Sequence, residues 1–397
     1  ERGEEEKMGN QLIIQKIEVH QYQWEVNDLT ADDYYNGFNT VYAPGAKSKR
    51  TGRILKIITD QGIVGEFVGG AKSDYVQMEM FLHYLIGKNA LQRELIYNDV
   101  KRALRKYDRM SMGPVDIALW DIAGKFYNAP VWELLGGYRT SVPAYASTYH
   151  GDENGGLDSP EAFGEFAVQC REMGYKGFKI HGWSHAPIQR EVAAVLKTRE
   201  MVGPEMDLML DPACEYETYG DALKVGRACD EANFYWYEDP FKDGGLSCAA
   251  HRRLRESIKT PILMGEHVRT LEPKVDMALA EATDYMRVNP TYDLGITGAM
   301  KVAHAAEGMG MDLEIHGAGP AQRHCMAAVR NANYYELGLV HPKASSTPSP
   351  VYTNYSDALD AIDENGHVPV PDGPGLGVEI DWEFVEKHRI GMTNYPE

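Results

Sequence analysis

From Val142 to Val340 the chain repeats one unit: a short apolar run, then an amphipathic stretch with helical spacing, then another apolar run. The runs are VPAYAST, YKGFKIH, DLMLD, FYWYED, PILMGEH, DYMRVN, MDLEIH and YYELGLV. A parallel neighbour is reached only through a crossover, so strands that alternate with helices make a parallel sheet. Eight such units in about 200 residues close into a barrel. An open, doubly wound sheet would usually carry a G-x-G-x-x-G turn after one strand, and the chain has none.

The residues before this repeat follow another pattern. Leu12–Gln23 (LIIQKIEVHQYQ) and Arg53–Glu66 (RILKIITDQGIVGE) read as strands, the second folded back at Asp60-Gln61-Gly62. Met78–Arg109 and Gly113–Leu135 have helical periodicity, with Val115, Leu119, Ile122 and Ala123 on one stripe. The first 135 or so residues are therefore expected to form an α+β domain. Between the strands, Glu25–Thr51 is polar and rich in Tyr, Asn and Gly, too long for an ordinary connector, and is read as a functional loop.

Charge and cysteine usage narrow the partners. Forty Lys+Arg against 59 Asp+Glu leave a net charge of −19, which repels nucleic acid and anionic membrane surfaces. An anionic substrate would then need a local cation. The five cysteines, at 170, 214, 229, 248 and 325, form no C-x-x-C pair, as expected of a reducing cytoplasm. No run of eighteen apolar residues occurs. The acidic Glu1–Lys7 does not read as a signal peptide; it is taken as a linker remnant before Met8.

Polar residues recur at the C-terminal ends of the predicted barrel strands: Lys179 and His181, then Asp211, Glu238, Glu266, Asn289, His316 and Glu336. From His181 onward the gaps are 30, 27, 28, 23, 27 and 20 residues, each about one strand-helix unit, so a barrel gathers them at one mouth. Asp211, Glu238 and Glu266 would repel one another unless a cation sat between them. All-oxygen ligation selects a hard ion, Mg²⁺ most naturally, whereas zinc would want His or Cys. Lys179 and His181, two apart on a strand, share the lumenal face, and Phe178 and Ile180 turn toward the helices. His316 faces His181 across the barrel, which places proton removal on one side and proton delivery on the other.

With these residues in place, the sequence resembles the mandelate racemase subgroup of the enolase superfamily. The resemblance runs over nearly the whole chain: MGPVDIALWDIAGKFYNAPVWELLGG, the Lys-x-His of the second strand, the Asp, Glu, Glu series, GITG after the sixth strand, and the His and Glu of the last two. It implies a modified (β/α)₇β barrel of the TIM type over residues 136–370. An N-terminal α+β capping domain, residues 8–135, would be completed by a C-terminal segment, 371–397. It also implies one Mg²⁺ per subunit on Asp211, Glu238 and Glu266, a small-molecule carboxylate substrate, and a homo-oligomer, either a dimer or a dimer-based octamer. Lys179 matches the first lysine of the family's Lys-x-Lys, and Glu336 the carboxylic acid that hydrogen-bonds a developing enediolate.

Two positions depart from that pattern. His181 stands where a second lysine is usual, and Asn289 stands where an aspartate usually orients the histidine at 316. The Asn289 carbonyl is expected to accept the Nδ1–H of His316 without stabilising its imidazolium, making His316 a weaker base and a better acid. Asp293 would compensate if its loop folded inward. The function implied is dehydration of a polyhydroxylated sugar acid to a 2-keto-3-deoxy acid, with His181 as base, His316 as acid and a protonated Glu336 as electrophile. Racemase or epimerase chemistry, cycloisomerase chemistry and a catalytically idle metal-binding homologue remain alternatives. Specificity is assigned to the 25–51 loop through Tyr34, Tyr35, Asn36, Tyr42, Lys47 and Arg50, with Trp183 and His185 extending the pocket.

Overall fold

A computed structural model describes residues 10–33, 39–344 and 349–396. The eight expected runs are strands β4 (Ser141–Thr148), β5 (Gly177–Ile180), β6 (Asp207–Leu210), β7 (Trp236–Glu238), β8 (Ile262–Met264), β9 (Tyr285–Val288), β10 (Leu313–Ile315) and β11 (Ala332–Val340). Each pairs in parallel with the next, and β11 pairs with β4 to close the barrel. A short antiparallel strand, β12 (His367–Pro369), runs along the outside of β4. The first crossover shows the local rules at work. Ser159 accepts from the Ala162 N–H, Pro160 opens the helix Pro160–Met173, and Gly174 at φ 114° ends it.

The lumen is layered. Tyr145, Met209, Trp236 and Leu263 fill its lower part, with Tyr145 edge-on to Trp236 at 5.4 Å. Against this aromatic layer lie two buried cations: Lys179 Nζ is 5.4 Å from the Tyr145 ring centre and the Arg287 guanidinium 5.9 Å from that of Trp236. Outward-facing residues such as Phe178 and Ile180 join the larger core under the helices, where Phe178 packs edge-on to Phe166.

The N-terminal sheet is antiparallel, built from β1 (Ile14–Ala31), β2 (Thr40–Thr59) and β3 (Val64–Val68); β13 (Arg389–Tyr395) pairs with β1, giving the order β13-β1-β2-β3. Most of the segment expected to be a loop is instead the far half of the β1–β2 hairpin, paired from Glu25↔Lys49 to Ala31↔Thr40. Its apolar side is sparse: Val26 and Leu29 are buried, with an irregularity and a positive φ at Asp28 between them. Polar residues on the other side hide the alternation. The Met78–Arg109 stretch is not one helix either, because Gly87 at φ 83° separates Leu82–Leu85 from Arg93–Ala103.

Cap and barrel meet closely at the helix Met112–Tyr127. Asp116 accepts from the Thr297 N–H at 2.9 Å and its hydroxyl at 2.7 Å, and a Cβ on Gly295 would lie 2.2 Å from Asp116 Cβ. The GITG motif therefore opens its helix, Gly295–Gly308, with backbone pressed against the cap. Over the mouth, Asn39 Nδ2 donates to Ser184 Oγ at 2.7 Å and Glu215 Oε1 at 3.1 Å, tying the hairpin to loops after β5 and β6. No helix among the described residues is long and apolar enough to cross a membrane, and all five cysteines are free thiols.

Candidate active site

The residues expected at the mouth converge there. Ligand atoms of Asp211, Glu238 and Glu266 lie within 4.8 Å of one another. Lys179 Nζ donates to Glu238 Oε2 at 3.0 Å and Asp211 Oδ2 at 3.3 Å, and pairs with Glu336 Oε1 at 2.9 Å. Burial alone would lower the lysine's pKa, but Glu238 and Glu336 outweigh it and hold the ammonium well above its usual range. Burial would likewise raise Asp211; Lys179 and His181 keep it ionised, below the usual carboxylate range.

Glu238 lacks such compensation. Burial, with Asp211 and Glu336 nearby, pushes its pKa up to about 7 against the pull of Arg287 and Lys179. Arg287 Nε is 2.9 Å from Glu238 Oε1, yet the N–H is not aimed at that oxygen, and both atoms lack a hydrogen-bond partner. In sum, four carboxylates (Asp211, Glu238, Glu266, Glu336) face two cations (Lys179, Arg287), a deficit of two charges. A divalent cation held by the three-carboxylate cluster fits both the deficit and the orphaned oxygen.

Arg287 is a functional residue whose place could not be read from the sequence. It occupies the lumenal position two residues before Asn289, is fully buried, and its Nη2 donates to Glu336 Oε2 at 3.0 Å. Glu336 also accepts from Ser147 Oγ at 2.9 Å and the Gly317 N–H at 2.7 Å. This corrects the expectation of a protonated Glu336: burial favours the neutral acid, but Lys179 and Arg287 outweigh it and hold the carboxyl well below its usual range. Glu336 is an acceptor that fixes Lys179 and Arg287, and the electrophilic role falls to those cations. Arg323 lies elsewhere, bonded to Asp357, Ser356 O and Pro369 O.

The two histidines are held in opposite senses. Nδ1–H of His181 donates to Thr148 O at 2.7 Å, so in the neutral ring Nε2 carries the lone pair; Asp211 Oδ2, 3.2 Å from Nε2, pairs with the imidazolium. At His316 the expected polarity is reversed. Asn289 Oδ1 is taken by the Thr291 N–H at 2.8 Å and by Gln322 Nε2 at 3.4 Å, so the amide nitrogen donates to His316 Nδ1 at 2.7 Å. Nε2 of His316 therefore carries the hydrogen, 3.3 Å from Glu266 Oε2. Burial lowers the pKa of His316, which favours this neutral form. Asp293 does not compensate: it accepts from the Asn289 and Thr270 N–H groups and pairs with Lys274 at 3.5 Å.

The expected specificity residues separate. Tyr34, Tyr35 and Asn36 lie outside the described residues. Lys47 is not at the mouth; its exposed ammonium pairs with Glu25 across the hairpin at 2.8 Å. Tyr42 stacks on His341 at 4.7 Å, and Arg50 donates to Thr40 Oγ1. Trp183 and His185 line a cavity of about 410 Å³ with Asp32, Asp33 and Ser184, although the Trp183 indole is tied to Asp152 O at 3.2 Å. A second cavity, about 320 Å³, opens between cap and barrel beside His316, Asn289 and Gln322. His150, unremarked in the sequence, lies 5.2 Å from the His181 ring, and burial drops its pKa to about 3.

The sequence matches the Enolase C-terminal domain-like family over residues 162–384, and the N-terminal domain of mandelate racemase / muconate lactonizing enzyme over residues 37–136. The chain belongs to the mandelate racemase subgroup of the enolase superfamily. It is thus an enzyme of a superfamily whose solved members share this capped barrel. D-glucarate dehydratase from Agrobacterium tumefaciens, crystallised with magnesium, superposes with a TM-score of 0.85 at 30% identity, covering 96% of this chain and 100% of that one. D-galactarolactone cycloisomerase of Agrobacterium fabrum is 29% identical (86% of this chain, 92% of that protein). Arabinonate dehydratase of Saccharolobus solfataricus is 27% identical (84% and 89%).

Proposed function

We propose that the chain is a Mg²⁺-dependent hydro-lyase that converts a polyhydroxylated sugar acid of the aldonate or aldarate type to its 2-keto-3-deoxy acid. The observation that carries this reading is the opposite polarity of the two histidines. With Nδ1 of His181 held to a carbonyl and Nδ1 of His316 held to an amide N–H, the neutral rings carry a lone pair and a hydrogen at Nε2, respectively. A racemase or epimerase needs a base on both faces of the α-carbon, whereas β-elimination needs one base and one donor. Cycloisomerisation also uses one base and one donor, and it is the second reading because a cycloisomerase is among the relatives.

The residues act as follows. Asp211, Glu238 and Glu266 would hold Mg²⁺, which when bound supplies Lewis-acid stabilisation to charge developing on a substrate carboxylate. Lys179 supplies a fixed positive charge at the same place, supported from below by Arg287 and held in position by Glu336. His181 Nε2 takes the α proton, and Asp211 pairs with the imidazolium that results. His316 directs its Nε2–H toward the departing β-hydroxyl, and the Asn289 N–H donated into Nδ1 stabilises electron density left on the ring. The free thiols suit a reducing compartment, the cytoplasm, and the homo-oligomer stays part of the proposal on the family resemblance alone.

The test is a panel of aldonates and aldarates assayed for 2-keto acid with Mg²⁺ and with EDTA. Metal-dependent 2-keto acid from at least one sugar acid is expected. Isomerisation of a sugar lactone with no 2-keto acid from any free acid would select the cycloisomerase reading, and full turnover by a demonstrably metal-free preparation would sink the site assignment.

A further inference from the structure

On the outer side of the three-carboxylate cluster lies a second set of ligand atoms. Asp239, which follows Glu238, is 1% exposed, and neither of its carboxylate oxygens has a hydrogen-bond partner. His251, on the helix Cys248–Arg255, is fully buried. Its Nδ1–H donates to Ser247 O at 2.8 Å, which leaves Nε2 as the lone-pair atom, and that atom is unpartnered too. His251 Nε2 is 3.9 Å from Asp239 Oδ1, and His267 Nε2 is 3.8 Å from Asp239 Oδ2. Ligand atoms of Asp239, Glu266 and His267 all lie within 4.8 Å of one another.

These are acceptors facing acceptors. Buried acceptors left without a donor are costly, so something electropositive belongs among them. The nearby cations are committed elsewhere. Lys274 donates to Gly265 O and Arg287 O and pairs with Asp293, and Arg287 serves Glu238 and Glu336. Space is kept open by Gly245, where a Cβ would meet His267 Cδ2 at 2.7 Å and Asp239 Oδ1 at 3.0 Å. A tetrahedral ion with bonds near 2.1 Å holds its ligand atoms about 3.4 Å apart, and the His267–Asp239 separation of 3.8 Å exceeds that by only a few tenths of an ångström.

We propose that Asp239, Glu266 and His267 form a second divalent-cation site, which shares Glu266 with the three-carboxylate cluster and has His251 beside Asp239 to position it. Its mixed imidazole and carboxylate donors select a borderline ion, Zn²⁺ before Mg²⁺, whereas the all-oxygen cluster beside it favours Mg²⁺. Occupied together, the two ions form a pair bridged by one carboxylate, a recurring arrangement in two-metal sites.

The experiment is equilibrium dialysis of the full chain against Zn²⁺ in excess Mg²⁺, with bound metal counted by mass spectrometry. One Zn²⁺ per chain is expected beside one Mg²⁺. His267→Ala, at a partly exposed position, should weaken Zn²⁺ binding on the order of a hundredfold; His251→Gln, which removes the ring that positions Asp239, should weaken it about tenfold; Glu238→Gln should lose Mg²⁺ and keep Zn²⁺. No retained Zn²⁺, or Zn²⁺ retained equally by wild type and both histidine variants, overturns the site: the first outcome assigns a proton or water to the gap, the second puts zinc on the three-carboxylate cluster. Mg²⁺-dependent α-proton exchange, measured on the same samples, reports the proposed reaction separately, so the loss of one reading does not carry the other with it.

Discussion

The walls of the barrel mouth that carry His181 and His316 use the same side chain in opposite ways, and a single hydrogen bond makes the difference. On one wall a backbone carbonyl, which can only accept, forces Nδ1 to carry hydrogen and turns Nε2 into a base. On the other, an amide nitrogen, which can only donate, forces Nδ1 to accept and turns Nε2 into a donor. Both rings lie beside a carboxylate of the metal cluster, Asp211 and Glu266 respectively, so proximity to charge does not distinguish them. The group behind the ring decides which way a proton moves in front of it.

The largest expected effect comes from removing the base. His181→Asn should lower turnover by about 10³- to 10⁴-fold and abolish exchange of the α proton with deuterated water, since His181 is the base on that side. His316→Asn should lower turnover by about 10²- to 10³-fold yet keep exchange measurable, because the first step needs only the base and the cations. Exchange lost in His316→Asn and kept in His181→Asn would reverse the two walls. Parallel loss of both readouts in both variants would mean that the histidines act as a pair of bases, as in an epimerase.

How much of this was legible in the sequence follows from what sets each feature. The barrel and its ligands were legible because strand ends recur at one strand-helix interval and each ligand sits just past an apolar run. The hairpin was not, since Val26, Leu29 and Val41 are its few buried apolar residues and the bulge at Asp28 breaks the alternation on its first strand. Arg287 was visible as a residue but not as a partner: its two contacts, Glu238 and Glu336, are 49 residues away along the chain in opposite directions. The orientation of Asn289 could not be read at all, because it depends on the Thr291 N–H claiming the carbonyl. The same limit applies to Glu336, whose ionisation depends on Lys179, Arg287, Ser147 and the Gly317 N–H, from four other strands or loops.

His324 is the control for the comparison, a buried histidine with both nitrogens committed and no metal ligand beside it. The Trp132 N–H donates to its Nδ1 at 3.0 Å, and its Nε2–H donates to Leu376 O at 3.0 Å. Burial lowers its pKa to about 4, with the Leu376 hydrogen bond opposing. The folded value lies below the unfolded one, near 6.5, so its contribution to stability is complete above pH 6.5 and is lost as pH falls toward 4. Between pH 7.5 and 5.5 the loss should be about 1 kcal/mol, read as a shift in urea midpoint. In His324→Gln that part of the pH dependence should vanish. An unchanged slope in the variant would mean that burial does not hold this ring neutral, and would weaken the same inference for His316.

The smallest expected effect is the most discriminating, because it edits only the group behind one ring. In Asn289→Asp the Thr291 N–H still has an oxygen to bind, but the atom facing His316 Nδ1 changes from a donor to an acceptor. Nδ1 must then carry the hydrogen, Nε2 becomes a lone-pair atom, and the carboxylate stabilises an imidazolium that the amide could not. Both walls would then present bases. Turnover by elimination should change by only about threefold to tenfold, since a one-unit pKa shift is tenfold in an equilibrium, while the stereochemistry of exchange should change outright: wild type should incorporate deuterium with retention at the α-carbon, and the variant should scramble it. Retention in both proteins would show that Asn289 does not set the direction of proton transfer at His316, and the two walls would then differ for a reason other than the bond behind the ring.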